Sequence, residues 1–255
     1  HFSKVTFDPK RWQRAAGKAN WPKVVTILNR GGRWEDWNRK FAATDGFVVH
    51  KYKKGMNLYA EKVAAQRHSM TGKRFSGVAV YEPAKDAAGR EVKDRGFPLR
   101  LITYKEILGG QSRTLPNNYW LSALLPENFI LINAETAAQY GFKDGDKARL
   151  VSATNPTGEW RLPNRDNVPM VGRIKTVEGM RPGVVAVSWH FGHWGYGASD
   201  TKIDGRVIKG DPRRRTGLCP NAAMRVDPVV GNACMTDPIG GSSSFYDTDV
   251  KLVKA

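Results

Sequence analysis

Hydrophobic residues in the second half of the chain fall in short runs that are bounded by polar and turn-forming residues, a pattern typical of β-strands. Because closing a sheet removes its unpaired edges, several short strands joined by long loops favour a closed barrel over an open sheet. The pattern alone leaves a β-sandwich open as well. The runs predict six strands: Leu99–Thr103, Ile130–Ile132, Lys147–Val151, Val171–Thr176, Val184–Ser188 and Val250–Val253.

The segment from Ile130 to Val151 has the most complete local pattern. Asn133 is suited to cap a helix over Ala134–Tyr140, because its side-chain oxygen can accept hydrogen bonds from the free N–H groups of the first turn. Gly141 follows where a left-handed residue ends a helix, and Asp144-Gly145 is typical of a tight turn. The segment therefore predicts a strand, a capped helix, a turn and a second strand.

The first third of the chain predicts a mixed extension of helices and a strand. Helical spacing is present over Trp21–Leu28 and Met56–Ala65, and partial alternation over Phe75–Tyr81 predicts a strand. The polar stretch Ala84–Gly96 contains turn-forming residues and is the predicted boundary of this extension.

The net charge of +17 is concentrated in the predicted extension. Residues 1–95 contain 21 Lys and Arg against 9 Asp and Glu, whereas residues 96–255 contain 20 against 15. We interpret these two parts as a basic extension and a barrel domain. The basic surface favours an anionic partner, which is a nucleic acid, a phosphate-bearing cofactor or an acidic protein surface, or it is a solvated face. Because the chain carries no recognised nucleic-acid-binding motif, we expect no nucleic-acid partner.

The two cysteines, Cys219 and Cys234, are too few for a disulfide scaffold and form either one bridge or two thiols. His190 and His193 supply two imidazoles, but neither cysteine forms a close sequence pair with another ligand, so we predict no metal site. No apolar run reaches the roughly 18 to 20 residues of a membrane span. The first residues form no signal peptide, and we interpret the chain as the C-terminal part of a longer protein.

Two long connections, Asn155–Pro169 and Gly195–Pro220, are predicted to lack regular structure. Connections of this length in a compact domain are usually functional or disordered. The second contains Arg213-Arg214-Arg215, which is either part of a mobile surface loop or a group of cations that collects anions at the mouth of a site.

Four sequence blocks, taken in order, resemble the dinucleotide-binding C-terminal domain of molybdopterin oxidoreductases, the dimethylsulfoxide reductase family. No single block is specific, but four in the family's order form a strong signal. The resemblance implies a β-rich α+β fold, a six-stranded double-psi β-barrel with short helices. The blocks are Leu99–Thr103 continuing to Gln111-Ser112-Arg113-Thr114, the segment Ile130–Val151, Pro182–Val185 leading to Trp189–Trp194, and Asn221 followed by Asp237-Pro238-Ile239-Gly240.

The resemblance also implies a pocket for molybdopterin guanine dinucleotide, in its bis form with Mo or W. Such a pocket needs backbone amides for the pyrophosphate and polar side chains for the ring edges. Without the resemblance, each implied contact would be an ordinary loop or turn residue. The implied cofactor contacts are Thr103, Gly110, Gln111, Ser112, Arg113, Thr114, Asn133, Asn221, Gly240 and Ser242.

His190 and His193 lie among Trp189, Phe191 and Trp194 in the densest aromatic and imidazole cluster of the chain. By resemblance this segment lies beside the cofactor, where an imidazole could hydrogen-bond an anionic substrate or transfer protons to it. A buried structural cluster is the alternative. We take both histidines as candidate catalytic residues.

By resemblance the chain is the cofactor-binding part of a catalytic subunit that reduces a small sulfur oxyanion by two electrons. Ser188–Trp194 and Ser69–Lys73 look most like tetrathionate reductases, with respiratory arsenate and thiosulfate or polysulfide reductases close behind. Neither Cys219 nor Cys234 matches the family's metal ligand or its 4Fe-4S motif, which we expect in the rest of the subunit. This part alone is therefore not expected to catalyse the reaction.

The implied partners are the rest of the catalytic subunit, an iron-sulfur subunit for electron transfer, and a membrane anchor subunit. The implied location is the periplasmic or extracytoplasmic face of the membrane. A free-standing, non-catalytic dinucleotide-binding subunit is the alternative that the sequence leaves open.

Overall fold

The computed structural model describes residues 9–29, 57–110, 114–162, 167–195 and 197–255. By its contacts the chain forms two compact units, residues 1–57 and residues 58–255. In the first unit, helix α1 (Pro9–Ala16) packs against helix α2 (Trp21–Asn29), which confirms the helix predicted to begin at Trp21. The predicted boundary at residues 95 and 96 falls inside the second unit, and the division into domains at that point stays a prediction.

The second unit contains the remaining described strands and helices. Its strands are β1 (Leu99–Tyr104), β2 (Phe129–Ile132), β3 (Lys147–Ser152), β4 (Glu159–Arg161), β5 (Asn167–Pro169), β6 (Val171–Thr176), β7 (Val184–Ser188), β8 (Thr201–Ile203), β9 (Arg206–Ile208) and β10 (Thr248–Lys254). Its helices are α3 (Glu61–Ala64), α4 (Thr114–Asn117), α5 (Tyr119–Leu124), α6 (Ala134–Gln139) and two 3-10 helices, Pro212–Arg215 and Pro220–Ala223. Among the described residues, no helix is long and apolar enough to span a membrane.

Six of these strands close into a barrel in the order β1-β10-β3-β6-β2-β7, with β7 pairing back to β1. The β1–β7 and β2–β6 pairs are parallel, and the other four pairs are antiparallel. All six predicted barrel strands are present within one or two residues of their predicted bounds. The structure therefore confirms the closed, β-rich barrel with short helices.

The barrel interior is filled by alternate residues of its strands, because successive side chains of a strand point to opposite faces. In β1, for example, Leu99, Leu101 and Thr103 are buried while the intervening residues are partly exposed. Each fully buried aliphatic side chain contributes about 1.5 to 3 kcal/mol to folding. The core also includes Ile130, Ile132, Ala148, Leu150, Ile174, Val185, Val187, Leu218 and Val250.

The predicted capped helix is confirmed. Asn133 Oδ1 accepts hydrogen bonds from the N–H groups of Glu135 and Thr136, at 3.0 and 3.3 Å, and helix α6 follows directly. Asn133 Nδ2 also donates to the carbonyl oxygens of Glu178 and Met180, at 3.4 and 3.1 Å. One amide therefore both starts α6 and holds the loop that precedes β7.

One prediction for the extension is wrong, and a second is wrong in part. Phe75–Tyr81 forms no strand, and Val80 and Tyr81 are exposed by 55% and 93%, so their alternation has no neighbouring strand to pack on. Among the described residues, the predicted helix over Met56–Ala65 is limited to α3. Met56 itself lies outside the described residues. Ala60 is extended and its N–H donates to the carbonyl of Gly77 at 2.6 Å, which delays the helix start.

The two long connections contain more regular structure than predicted. The first contains the β4–β5 hairpin, whose intervening residues 163–166 lie outside the described part of the chain. The second contains the β8–β9 hairpin, with Asp204 at φ 49° in its turn, and the 3-10 helix Pro212–Arg215. Both hairpins are too short for the sequence pattern to separate them from loop.

Residues just before β1 are attached to the segment that precedes β10. Arg225 forms an ion pair with Asp94 at 2.8 Å, and both side chains are largely buried. The buried Asp227 carboxylate accepts a hydrogen bond from the N–H of Ala87 at 2.8 Å. These contacts explain why residues near the predicted boundary belong to the same compact unit as the barrel.

We predict that Asn133→Ala lowers the free energy of unfolding by about 1 to 3 kcal/mol, because it removes a helix cap and two further hydrogen bonds. Chemical denaturation would measure this loss. The matched control is Asn232→Ala, at an exposed position, which should change stability by less than about 0.5 kcal/mol. Equal effects of the two substitutions would contradict the structural role of Asn133.

Candidate functional site

The parallel strands β1 and β7 end side by side at one end of the barrel. Tyr104 and Ser188 are partners in the ladder, and the N–H of Trp189 donates to the carbonyl of Tyr104 at 3.3 Å. Residues 105–110 and 189–195 leave the barrel from these strand ends. Two of the sequence blocks that are far apart in the chain are therefore adjacent in space.

The two segments are in close contact at Gly109 and His190. A Cβ atom added at Gly109 would lie 3.1 Å from His190 Cε1 and 3.0 Å from Leu115 Cδ1, so a side chain there would displace its neighbours. Gly110 lies next to Thr114, whose Oγ1 would be 3.4 Å from such an atom. The structure thus brings Gly110, Thr114 and His190 together.

Two buried hydroxyl groups lie at the same ends of the strands. Thr103 is 7% exposed and, like Leu101, belongs to the inward face of β1. Ser188 is fully buried, and its Oγ has no hydrogen-bond partner among the described residues. A buried hydroxyl without a partner costs about 1 to 3 kcal/mol, so Ser188 is suited to receive one from a bound molecule.

His193 joins this end of the barrel to the segment around Cys219. His193 Nε2 lies 2.9 Å from the carbonyl oxygen of Trp189, and Nδ1 lies 4.0 Å from Cys219 Sγ. Because a carbonyl only accepts, Nε2 carries the proton that it donates, and in the neutral ring Nδ1 is left as an acceptor for the thiol.

Both cysteines are free thiols. Burial raises the pKa of the Cys219 thiol to about 11, against a smaller opposite effect of the N–H groups of Asn221 and Ala222. Cys219 is therefore protonated at neutral pH and acts as a hydrogen-bond donor rather than as a nucleophile. Among the described residues, no three His, Cys, Asp or Glu side chains converge as metal ligands would.

Asn128 is a positioning residue that the sequence analysis missed. It is fully buried, and its Nδ2 donates to the carbonyl oxygens of Ser188 and, at 2.8 Å, Leu218. Its Oδ1 accepts from the N–H of Leu218 at 2.9 Å. The side chain thus fixes the end of β7 against the segment that carries Cys219. An Asn before a strand has only the sequence signal of a turn residue, so no local pattern reveals this role.

The loop before β10 reaches the same end of the barrel through an aromatic contact. The rings of Trp189 and Phe245 have centroids 6.4 Å apart, and Lys105 Nζ lies 5.6 Å from the centre of the Trp189 ring. Thr248, the first residue of β10, pairs with Leu101. The loop that contains Gly240 and Ser242 therefore ends beside the other candidates.

The candidate contacts Gly240 and Ser242 belong to a closed turn. The carboxylate of Asp237 accepts the N–H of Gly240 at 2.6 Å and that of Ile239 at 3.2 Å. The N–H of Asp237 donates to the carbonyl of Ser242 at 2.7 Å. Because its N–H already binds a carboxylate, Gly240 would have to exchange that partner to contact a phosphate.

Asn221 and Asn133, two further predicted cofactor contacts, lie in other surroundings than the candidates described so far. Asn221 is exposed, in the 3-10 helix that follows Cys219, and this helix is held by Asn155 Nδ2, which donates to the carbonyl of Ala222 at 3.1 Å. Asn133 follows the C-terminal end of β2, which runs antiparallel to β7. It therefore lies at the opposite end of the barrel, and the structure does not bring it together with the other candidates.

Gln111, Ser112 and Arg113 lie outside the described residues. They connect Gly110 to Thr114, both of which are at the barrel end where β1 and β7 finish. Their roles stay predictions.

The arginine run does not provide three unpaired cations. Arg213 Nη2 lies 2.7 Å from Asp211 Oδ2, and the guanidinium stacks 4.5 Å from the centre of the Tyr119 ring. Hydrogen bonds from Arg213 and Tyr119 hold the pKa of the Asp211 carboxyl well below its usual value. Arg213 is thus part of a neutralised cluster, which weakens the hypothesis that the run collects anions.

Comparisons with known proteins show the family that the chain resembles. A model of the molydopterin (molybdopterin) dinucleotide binding domain matches residues 99–242. A selenate reductase subunit of Mesobacillus selenatarsenatis is 42% identical over 99% of this chain and 24% of its own length. A tetrathionate reductase subunit of Salmonella typhimurium is 30% identical over 81% of this chain and 19% of its own length. ArrA, the molybdopterin-containing subunit of the arsenate respiratory reductase of Shewanella sp., is 27% identical over 59% of this chain and 15% of its own length.

We predict that iodoacetamide alkylates Cys234 faster than Cys219 in the folded protein at pH 8. Cys219 is buried and its pKa is about 11, so little thiolate is present, whereas Cys234 is partly exposed. Mass spectrometry of time points would measure both rates, and the rate at Cys219 should still be rising as the pH approaches 11. Faster modification of Cys219 at pH 8 would be inconsistent with the described site.

Proposed function

Because the chain belongs to the molybdopterin dinucleotide-binding domains of the dimethylsulfoxide reductase family, we propose that it binds molybdopterin guanine dinucleotide at the end of the barrel where β1 and β7 finish. It does so as part of the catalytic subunit of an oxidoreductase. The observation that carries this proposal is the convergence of residues 105–110 and 189–193 within the region that matches the family.

The chemistry of this barrel end fits the cofactor. The backbone of Gly109 packs against His190 and Leu115, and Gly110, which has no side chain, allows a phosphate or a planar ring to approach the backbone closely. Thr103 and Thr114 offer hydroxyl groups, and the buried Ser188 Oγ needs a hydrogen-bond partner. When bound, the cofactor supplies a Mo or W centre that exchanges electrons with the substrate. The residues of this chain bind and orient it.

The extent of the similarity supports a part of a longer subunit rather than a free-standing binding module. The selenate reductase relative aligns with 99% of the chain, which includes the basic extension as well as the barrel. The chain spans 24% and 19% of the lengths of the two relatives that cover most of it. The metal ligand and any 4Fe-4S cluster, together with electron-transfer and membrane-anchor partners, belong by this proposal to the rest of the enzyme.

We propose a two-electron reduction of a small oxyanion as the reaction. For selenate the balanced step is SeO4²⁻ + 2 H⁺ + 2 e⁻ giving SeO3²⁻ + H2O, and for tetrathionate S4O6²⁻ + 2 e⁻ gives two S2O3²⁻. The sequence motifs favour tetrathionate, but the selenate reductase relative has the higher identity and coverage, so selenate is the first substrate to test. The positive charge of the chain suits either anion.

Of the two histidines, His193 is the better candidate for a role at the substrate. His190 is fully buried, whereas His193 is partly exposed, and its Nε2 donates to the Trp189 carbonyl. Selenate reduction consumes two protons, and a partly exposed imidazole is suited to deliver them.

We predict that Gly109→Val lowers the molybdopterin content of the full-length subunit, because its side chain would press on His190 and Leu115 where the two segments meet. The cofactor can be measured as the fluorescent pterin released on denaturation. The control is Gly179→Val, since nothing lies within 4 Å of a Cβ at that position. Unchanged pterin content in a folded Gly109→Val protein would contradict the proposed binding site, as would a wild-type protein without pterin.

We further predict that His193→Gln in the full-length enzyme lowers kcat for selenate by about 10² or more, with unchanged pterin content, because the imidazole no longer transfers the protons that selenate reduction consumes. Tetrathionate reduction consumes no protons, so its kcat should fall less. Reduction with an artificial electron donor would measure kcat for each anion. His68→Gln, in the segment before the barrel, is the control. An unaffected kcat would remove His193 from the catalytic residues.

A further inference from the structure

Helix α5 presents an exposed apolar face. None of its six residues is buried, and Trp120 and Leu124 are exposed by 86% and 69%. Because residues four apart lie on the same side of a helix, these two side chains form one surface. We call Trp120 and Leu124 the apolar face.

Helix α5 is fixed to the rest of the second unit by contacts at its N-terminal end. Asn118 Oδ1 caps the helix by accepting from the N–H groups of Trp120 and Leu121, at 3.0 and 3.2 Å. The Tyr119 hydroxyl donates to Asp211 Oδ2 at 2.6 Å, and the Arg213 guanidinium stacks on the Tyr119 ring. The helix therefore keeps one orientation while its apolar face has no partner among the described residues. An exposed apolar surface held in place in this way is typical of an interaction site.

The uncharged, apolar character of the face favours an apolar protein surface as its partner. Residues 114–126 contain no charged residue and no His, although the chain as a whole carries a net charge of +17. A nucleic acid or an anionic membrane would be bound by the cationic parts of the surface instead. An exposed Trp with an aliphatic neighbour fits an apolar pocket of another protein surface, where such residues contribute most of the binding energy.

We propose that the apolar face docks on the rest of the same catalytic subunit, and this step rests on the proposed function. The chain spans only 24% of the length of its selenate reductase relative, so most of such a protein lies outside these 255 residues. Two side chains cannot supply the roughly 1,200 to 2,000 Å² that a stable contact between separate proteins buries. A contact within one polypeptide needs less area, because covalent connection removes most of the entropy lost on association.

Site-specific photo-crosslinking in the purified full-length subunit tests this. Trp120→p-benzoylphenylalanine places the reactive group on the apolar face, and Tyr81→p-benzoylphenylalanine is the control, at a position that is 93% exposed and outside the face. Mass spectrometry locates the crosslinked peptides. Pterin release from the wild-type subunit, measured in parallel, tests the proposed function separately.

The expected result is a several-fold higher crosslink yield at position 120 than at position 81, to peptides of the same polypeptide that lie outside these 255 residues. Crosslinks between two copies, crosslinks to a different polypeptide, or equal yields at the two positions would each overturn the docking proposal. Absence of pterin from the wild-type subunit would instead overturn the proposed function, whatever the crosslinks show.

Discussion

The parallel pairing of β1 with β7 is the constraint on which the candidate site depends. Parallel neighbours end at the same edge, so pairing Tyr104 with Ser188 forces the segments that follow them to leave the barrel side by side. Parallel strands also need a long crossover, and here residues 105–183 provide it. Two blocks that are far apart in sequence thus form one surface, at which glycines, hydroxyl groups and imidazoles meet.

Buried polar side chains then fix the surrounding segments. Asn128 joins the end of β7 to Leu218, and this contact places Cys219 within reach of His193. Arg225 and Asp94 hold the start of the loop before β10, whose Phe245 contacts Trp189. Because an unmade hydrogen bond at a buried amide costs more than the bond itself contributes, such residues select one arrangement of the loops. A cofactor site needs that preorganisation.

The parts of the fold that follow from local chemistry could be predicted from sequence. The six barrel strands and the cap at Asn133 are visible because each depends on a few neighbouring residues. The strand predicted at Phe75–Tyr81 failed because a strand needs a partner, and the alternation of side chains does not reveal whether one exists. The β4–β5 and β8–β9 hairpins, with three residues in each strand, are too short to produce a pattern.

The candidate site was predictable only in part, because some of its features depend on partners that are distant in the chain. Sequence order identified the blocks around Thr103, Gly110 and His190, and the barrel topology brings them together. It could not show that Asn133 lies at the other end of the barrel, since that depends on β2 running antiparallel to β7. Nor could it reveal Asn128, whose three hydrogen bonds join it to two residues, 60 and 90 positions away in the chain.

Hydrogen exchange of the full-length subunit, with its cofactor bound and after the cofactor is removed, tests the central claim most directly. We expect that removal increases amide exchange in residues 105–110, 189–193 and 217–223, which surround the barrel end where β1 and β7 finish. We expect little change in helix α6 at the opposite end. Increased exchange confined to α6 and the loop before β7, with none in the three named segments, would contradict this claim.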